Sequence, residues 1–495
     1  MMFLRTTKIQ RHVSTECQSS AGYSRFAMTI LTTSLLITGC TVGPDYKVPD
    51  TQLPKAFHAS PTTESFSDLT HWWKTFDDPM LDELVDQALE ANLDMQLAQA
   101  RIREARSRLL ASGATLKPTV DVSGTDSLNR SSESASGVAG SSKNLMQSGF
   151  DASWEIDIFG GNRRSIEAAT ANYQSTIEDS RSTLVSLLAE VATNYIQLRG
   201  YQYELNIIKA NVESQKDTLS IQKTKFDAGI ATDLTVAQTE ALVQTTSAQM
   251  PTLEGQIKQA IHRISVLLNR EPAALMDQLI TDKPIPLGPP TIPAGVPAEI
   301  LRRRPDIRAA ERRLAAATAQ IGVQTAELYP KFTLNGTIGL SSTQLSNFVD
   351  SRSLFYSLGP GVSWRAFDGG RIKADIQTAQ AQRDQAAIIY QQSLLTAMKE
   401  VENALVFYDR QQVRRDMLAK SVSANERAME SSKNLNDAGL VDFLNVLTAQ
   451  RSLNDAQSAL ARSQTAVSTD LVYLYKVLGG GWEIPNTDIQ LMTAK

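Results

Sequence analysis

From Met146 to Ile158 apolar and polar residues take turns along the chain. Met146, Phe150, Ala152, Trp154, Ile156 and Ile158 fall on one side; Gln147, Gly149, Asp151, Ser153, Glu155 and Asp157 fall on the other. The alternation returns at Phe332, Leu334, Ile338 and Leu340, then at Tyr356, Leu358, Val362, Trp364 and Ala366. Period two sustained over about ten residues is the pattern of a transmembrane β-strand, although a half-buried strand of a soluble sheet gives it too. The pattern predicts four strands, at about 116–128, 145–158, 331–341 and 354–366, with the polar loops "NRSSESASGVAGSSKN" and "SSTQLSNFVDSRS" between them. Four strands cannot close a barrel, and an open edge does not survive in lipid. If these strands span a membrane, several chains must share one barrel: two chains give eight strands and a filled interior, three give twelve and a lumen.

Between the strands the period lengthens to three and four. Gly161 to Phe226 is 66 residues without a proline, a helix of ~100 Å at 1.5 Å per residue. Arg371 to Asp437 is similar, with apolar residues at Leu394, Met398, Val401, Leu405, Tyr408, Leu418, Val422 and Met429. Lys399, Glu400, Glu402, Asp409 and Arg410 lie among them, so this is a coiled coil rather than a membrane span. Pro79 to Gly113 and Leu234 to Asn269 predict helical segments of roughly half that length, ~50 Å. Each long helix ends in a bend carrying the same signal, "KFDAGIATDLTVAQ" from Lys225 and "NLNDAGLVDFLNV" from Asn434, where Gly accepts the left-handed conformation that ends a helix. Asp233 and Asp442 stand where the following helices need an N-cap.

The bends belong to an internal repeat. "SWEIDIFGGNRRS" around Trp154 parallels "SWRAFDGGRIKAD" around Trp364, 210 residues on, and "LKPTVDVSG" from Leu116 parallels "LYPKFTLNG" from Leu328. The chain therefore divides into repeat 1 at 77–281, a connector at 282–297 with six prolines, repeat 2 at 298–478 and a tail at 479–495. The connector reads as stiff and extended. Each repeat reads helix, strand, loop, strand, very long helix, bend, helix.

Composition removes other options. A net charge of -4 gives no general affinity for nucleic acid. The four histidines (His12, His58, His71, His262) are scattered, and no metal-ligand spacing, nucleotide-binding motif or nucleophile–base constellation exists, so an enzyme is not expected. Neither a cofactor nor a metal is called for. The apolar run Ala27 to Ile37 follows Lys8, Arg11 and Arg25 and is too short to cross a bilayer. It ends in "ITGC", with Ile37 and Gly39 ahead of Cys40, and resembles the lipobox of bacterial lipoproteins. That resemblance implies a signal peptide at 1–39 and a covalent lipid, such as palmitate, on Cys40 at the head of an extended segment 40–76. Thr41 in place of Asp favours the outer membrane over retention at the inner one.

Taken together, the residues resemble the TolC/OprM-type outer membrane efflux proteins, in the lipid-anchored NodT-like branch that serves tripartite RND pumps. The motifs are "GCTVGPDYKVP" from Gly39, "WWKTFDDPMLDELVDQALEANLD" from Trp72, "ILRRRPDIRAAERRLAAATAQIGVQTAELYPKFTLNG" from Ile300, "FDGGRI" from Phe367 and "FLNVLTAQRSL" from Phe443. The resemblance implies an α+β membrane protein: a homotrimer with a 12-stranded transmembrane β-barrel, continued by a long α-helical coiled-coil tunnel in the periplasm. It implies passive conduction of small toxic compounds or drugs, driven by an inner-membrane RND pump through a periplasmic membrane-fusion adaptor. The adaptor would dock at the bends, on Ala228, Gly229, Ile230, Ala438, Gly439 and Leu440. Relatives close the entrance with aspartates just past the second bend; the matching positions here are Asn445 and Thr448, with Thr235 and Gln238 as first-repeat counterparts, all uncharged. Asp442 and Asp233, with Asp437 and Asp227 nearby, either supply that acidity or serve as solvated caps. A duct for ABC-driven type I protein secretion and a coiled-coil lipoprotein scaffold without a channel are the competing readings. The substrates (drugs, organic acids, solvents or metal ions) stay open; the 12 Met are not clustered.

Overall fold

The computed structural model describes residues 41–50, 69–130, 142–289 and 302–483, with positions 132, 134 and 140. It divides into two compact units, a β unit made of residues up to 44, 113–165 and 322–376, and a helical unit made of the rest. Cys40, Ile37 and Gly39 lie outside the described residues, as do 290–301 of the connector region and the tail beyond 483.

The β unit holds one antiparallel sheet in chain order: β1 (Thr119–Arg130), β2 (Ser142–Ile156), β3 (Lys331–Ser342) and β4 (Leu354–Ser363). β2 pairs with β3, placing Phe150 opposite Ile338 and Trp154 opposite Leu334. Both faces follow the predicted alternation. Val122, Tyr356 and Leu358 stand on the apolar face with exposures of 73%, 79% and 76%. On the polar face side chains bond from strand to strand: Ser123 Oγ donates to Asp151 (2.9 Å), Ser153 Oγ to Asn335 (2.9 Å) and Gln147 Nε2 to Ser341 (3.3 Å). Gly149 and Gly339 are register partners, and a Cβ on Gly339 would sit 2.5 Å from Ser148 O, so close strand approach demands glycine there.

The strand ends differ from the alternation. β1 starts at Thr119, because Pro118 carries no N–H and the Leu116 carbonyl accepts the Trp154 indole N–H (2.9 Å). Asp157 and Ile158 fall after β2, since the Asp157 carboxylate instead accepts the N–H groups of Asn162 (3.1 Å) and Arg163 (2.9 Å) at the start of the next helix. Trp364 and Ala366 lie beyond β4, yet the Trp364 indole donates to Leu328 O (3.1 Å) as Trp154 does to Leu116 O. The turn before the first long helix also receives the chain's N-terminal stretch: Val42 N donates to Phe159 O (3.1 Å), and Arg164 Nε donates to Val42 O (3.1 Å).

In the helical unit α1 (Pro79–Ala91) is capped by Asp78, which accepts from Met80 N and Leu81 N. Leu81, Leu84, Val85 and Ala88 recur at helical spacing and are fully buried. The single segment expected from Pro79 to Gly113 is two helices. Asn92 interrupts it, accepting from Asp94 N and Met95 N to start α2 (Leu93–Ala114) while its Nδ2 reaches Leu267 O (2.8 Å). The first long helix, α3, runs Gly161–Asp227 for 67 residues. After it the expected 234–269 segment is also broken, into α4 (Asp233–Ser247) and α5 (Gln249–Leu267). Pro251 explains the break: it offers no N–H to the Ser247 carbonyl four residues earlier. The short α6 (Met276–Leu279), α7 (Pro305–Ala326), the second 67-residue helix α8 (Arg371–Asp437) and α9 (Phe443–Val477) follow.

The largest core gathers Trp72, Trp73, Phe76, the buried faces of α1 and α5, Leu184 to Val212 of α3, Val401 to Tyr408 of α8 and the end of α9. Trp72 stacks on Tyr475 at 5.2 Å. Among the described residues no helix is long and apolar enough to cross a membrane. The heptad-like positions Leu418, Val422 and Met429 of α8 are only half-buried, so that stretch of the pattern has no complete partner within one chain.

Candidate channel wall and helix bends

Both bends are built alike. In the first, Gly229 N donates to Phe226 O and Ile230 N to Lys225 O, both at 2.8 Å; in the second, Gly439 N donates to Asn436 O and Leu440 N to Leu435 O, both at 2.9 Å. Gly229 and Gly439 have φ of 73° and 74°, and a Cβ on either would meet nothing within 4 Å. Conformation rather than space requires glycine at these two positions. Ala228 and Ala438 close the last turns through Thr224 O and Asn434 O, which leaves Ile230 and Leu440 as exposed apolar tips. The second bend has an additional tie, Asn436 Nδ2 to Val441 O (3.0 Å).

The caps separate two residues that the sequence treated alike. Asp442 is the N-cap of α9, accepting Leu444 N at 2.6 Å. Asp233 is not a cap: Thr232 holds that place and accepts Thr235 N (3.2 Å), which puts Asp233 in the first turn, where its charge meets only the helix dipole. Asp442→Ala is therefore expected to weaken the start of α9 by about 1 kcal/mol, and Asp233→Ala to change α4 by less than half of that. Amide hydrogen exchange in the two first turns would read the contrast; equal effects would contradict the cap assignment.

The gate candidates turn inward on their own helices. Thr448 Oγ1 donates to Leu444 O (2.8 Å), Asn445 Nδ2 to Asp442 O (3.3 Å), and the Thr235 hydroxyl lies 3.0 Å from that of Thr232. Gln238 is half-buried on α4. Among the described residues no hydrogen bond joins the first-bend set to the second-bend set.

Charged residues that the motif reading left without a role hold the helices together. Arg304 of the "RRRPD" run is buried; it grips Asp306 with Nε (3.0 Å) and Nη2 (2.7 Å), Glu400 with Nη2 (2.8 Å) and the Val477 carbonyl with Nη1 (2.9 Å). Glu178 on α3 pairs at 2.7 Å with both Arg181 and Arg308, whose guanidinium groups lie 4.9 and 5.2 Å from the Trp482 ring. Burial pushes the Glu178 carboxyl above its usual range, against the pull of the two arginines. Runs of arginine signal ion pairing, but not the partner, 96 residues away in the case of Glu400.

The sequence pattern of the family described as outer membrane efflux protein matches residues 84–270 and, a second time, residues 296–480. The chain belongs to the outer membrane efflux proteins. It is 32% identical to Nodulation protein T of Rhizobium leguminosarum bv. trifolii over 457 residues, covering 91% of this chain and 96% of that one. It is 31% identical to the pyoverdine export outer membrane protein OpmQ of Pseudomonas aeruginosa, covering 84% and 88%. The solved outer-membrane channel OprN superposes with a TM-score of 0.85 at 36% identity, over 90% of this chain and 100% of that one. This efflux protein is thus an outer membrane channel reaching into the periplasm, in a family of transport proteins rather than enzymes.

Proposed function

We propose that three copies of this chain close a 12-stranded barrel, and that the assembly is the passive exit duct of a tripartite efflux system. The observation that carries the reading is the open sheet: among the described residues β1 and β4 each have one unpaired edge, while one face is apolar and exposed from Val120 to Val362. Lipid tolerates an apolar face but not an open edge, so copies must join edge to edge, and four strands taken three times leave a lumen. A second exposed apolar stripe, Ile388, Leu395, Val406, Val413 and Met417 of α8, supports a neighbouring copy beside the long helix. The mass of the detergent-solubilised assembly, together with single-channel conductance in planar bilayers, tests this: a trimer that conducts is expected, and a monomer or a non-conducting oligomer refutes it.

The cargo is small toxic compounds or drugs, delivered by an inner-membrane RND pump through a periplasmic adaptor that docks on the exposed tips around Ile230 and Leu440. Cys40 carries the lipid anchor. Recovery of an RND pump and adaptor after mild crosslinking in cells is expected; an ABC exporter in their place would favour type I secretion. The entrance past the bends is uncharged at Asn445 and Thr448, and their side-chain hydrogen bonds stay within α9. Introducing carboxylates there, as Thr448→Asp, is expected to raise cation over anion permeability several-fold in planar bilayers. An unchanged ratio would place the selectivity elsewhere.

A further inference from the structure

The residues that follow Cys40 lie in a slot of the β unit. Both main-chain groups of Val42 are taken: its N–H donates to Phe159 O (3.1 Å), and its carbonyl accepts from Arg164 Nε (3.1 Å). The Gly43 carbonyl accepts from Nη2 of the same arginine (3.3 Å). Arg164 itself is buried. Phe159 in turn stacks on Tyr329, with ring centroids 4.5 Å apart. All of these residues belong to the β unit.

Three glycines line this joint, and close approach requires each of them. A Cβ on Gly43 would sit 2.5 Å from Gly322 Cα, one on Gly160 2.9 Å from Thr41 Cα, and one on Gly322 2.7 Å from Arg164 Cγ. The turn after β4 makes the contrast. It too carries two glycines, Gly369 and Gly370, but a Cβ on either would meet nothing within 4 Å, and Phe367 beside them is 89% exposed. A strand-to-helix turn therefore does not need such packing by itself; the turn after β2 is built to hold a segment of chain. A slack tether would leave its N–H and C=O groups to water, whereas here successive main-chain groups have protein partners.

We infer that residues 41–43 are a seated part of the β unit, and that this slot, not the lipid, sets where the acylated residue stands. Thr41 is held against Gly160, and the Cα of Cys40 is one trans peptide away, about 3.8 Å. The acyl chains therefore enter the bilayer at a fixed point beside the turn between β2 and α3, not from the end of a free tether. Arg164 is the positioning residue, and Gly43, Gly160 and Gly322 leave room for the chain to pass. Its hydrogen bonds to Val42 and Gly43 go to main chain, so the slot holds the segment without reading those side chains. The inference rests on the reading of Cys40 as the lipidated residue, and the test separates the two.

Full-length protein in lipid nanodiscs, with doubly labelled chains diluted into unlabelled ones, would carry nitroxides at Pro44, next to the slot, and at Thr125, within the β1–β2 ladder. Both positions are exposed. Pulsed distance measurement is expected to give one narrow distribution; a broad one overturns the inference. A Gly/Ser-rich insert between Cys40 and Thr41 slackens the anchor but spares the slot, so the distribution is expected to stay narrow. Widening there would show that the lipid holds the segment, and overturns the inference as well. Arg164→Met removes the donations to Val42 and Gly43 but keeps an apolar side chain against Gly322. It is expected to widen the distribution at least twofold, with the oligomer still assembled, and an unchanged width refutes the role of Arg164 and the slot with it. Mass spectrometry of the N-terminal peptide tests the lipid reading separately. Absence of an acyl chain on Cys40 removes that reading, and the inference with it, whatever the distances. If Arg164→Met does not assemble, the unaltered protein and the insertion variant decide.

Discussion

Leu358→Arg is expected to abolish stable insertion of the protein into the outer membrane. Leu358 lies in the middle of β4 between Tyr356 and Val362 on the apolar face, and its Cδ1 covers Gly336 of β3. A guanidinium at the bilayer midplane of a β-barrel costs about 2–4 kcal/mol. In the proposed ring of three copies that cost is multiplied, and a charge at mid-strand cannot snorkel as far as one near an end. The neighbouring Ser357 points to the polar face, so Ser357→Arg keeps the same side chain in water and is expected to insert. Membrane fractionation with gel detection of the heat-sensitive oligomer separates the two outcomes. Equal insertion of both variants would show that the apolar face does not meet lipid.

Arg304→Ala carries the largest expected stability loss in the helical unit. It would take the shared partner from the partly exposed Asp306 and Glu400 and from the Val477 carbonyl at the junction of α7, α8 and α9. Arg304 itself is buried, whereas the Asp306 and Glu400 side chains remain 43% and 29% exposed, so solvent takes up part of the loss and the expected cost is about 1–3 kcal/mol, mostly from the unpaired Val477 carbonyl and the space left by the guanidinium. Burial would lower the Arg304 pKa, but hydrogen bonds and charge from Asp306 and Glu400 outweigh it and raise the pKa, so the group stays charged throughout the accessible pH range. Arg304→Lys is expected to recover little, since one ammonium cannot reproduce the fork to two carboxylates and a carbonyl. Denaturant unfolding followed by helical circular dichroism would show the loss. A midpoint unchanged by Arg304→Ala would mean that solvent already satisfies the two carboxylates.

What the sequence announced was set by neighbours along the chain. Alternation in β2 marks a strand because successive side chains of an extended backbone point to opposite faces. The proline-free runs of α3 and α8 set their lengths, and Gly229 and Gly439 ended them where predicted, because only glycine enters the left-handed region without strain. The alternation overruns the end of β2 for a local reason too: Asp157 fits it, but its carboxylate instead accepts the N–H groups that open the next helix. Asp233 and Asp442 look alike in sequence, and only backbone geometry shows that Thr232 takes the capping place ahead of Asp233.

The sequence by itself determined the plan of strand faces and helix lengths and, through its motifs, the family. Tertiary structure alone decided what holds the plan together. Arg304 meets Glu400, Tyr408 meets the Pro289 carbonyl and Ser468 meets the Pro286 carbonyl, across 96, 119 and 182 residues of chain. The connector, which its prolines make stiff and extended, is tied to three helices over 282–289. No local pattern encodes such pairs, because a hydrogen bond depends on where two groups end up in space, and that follows only once the whole chain has packed.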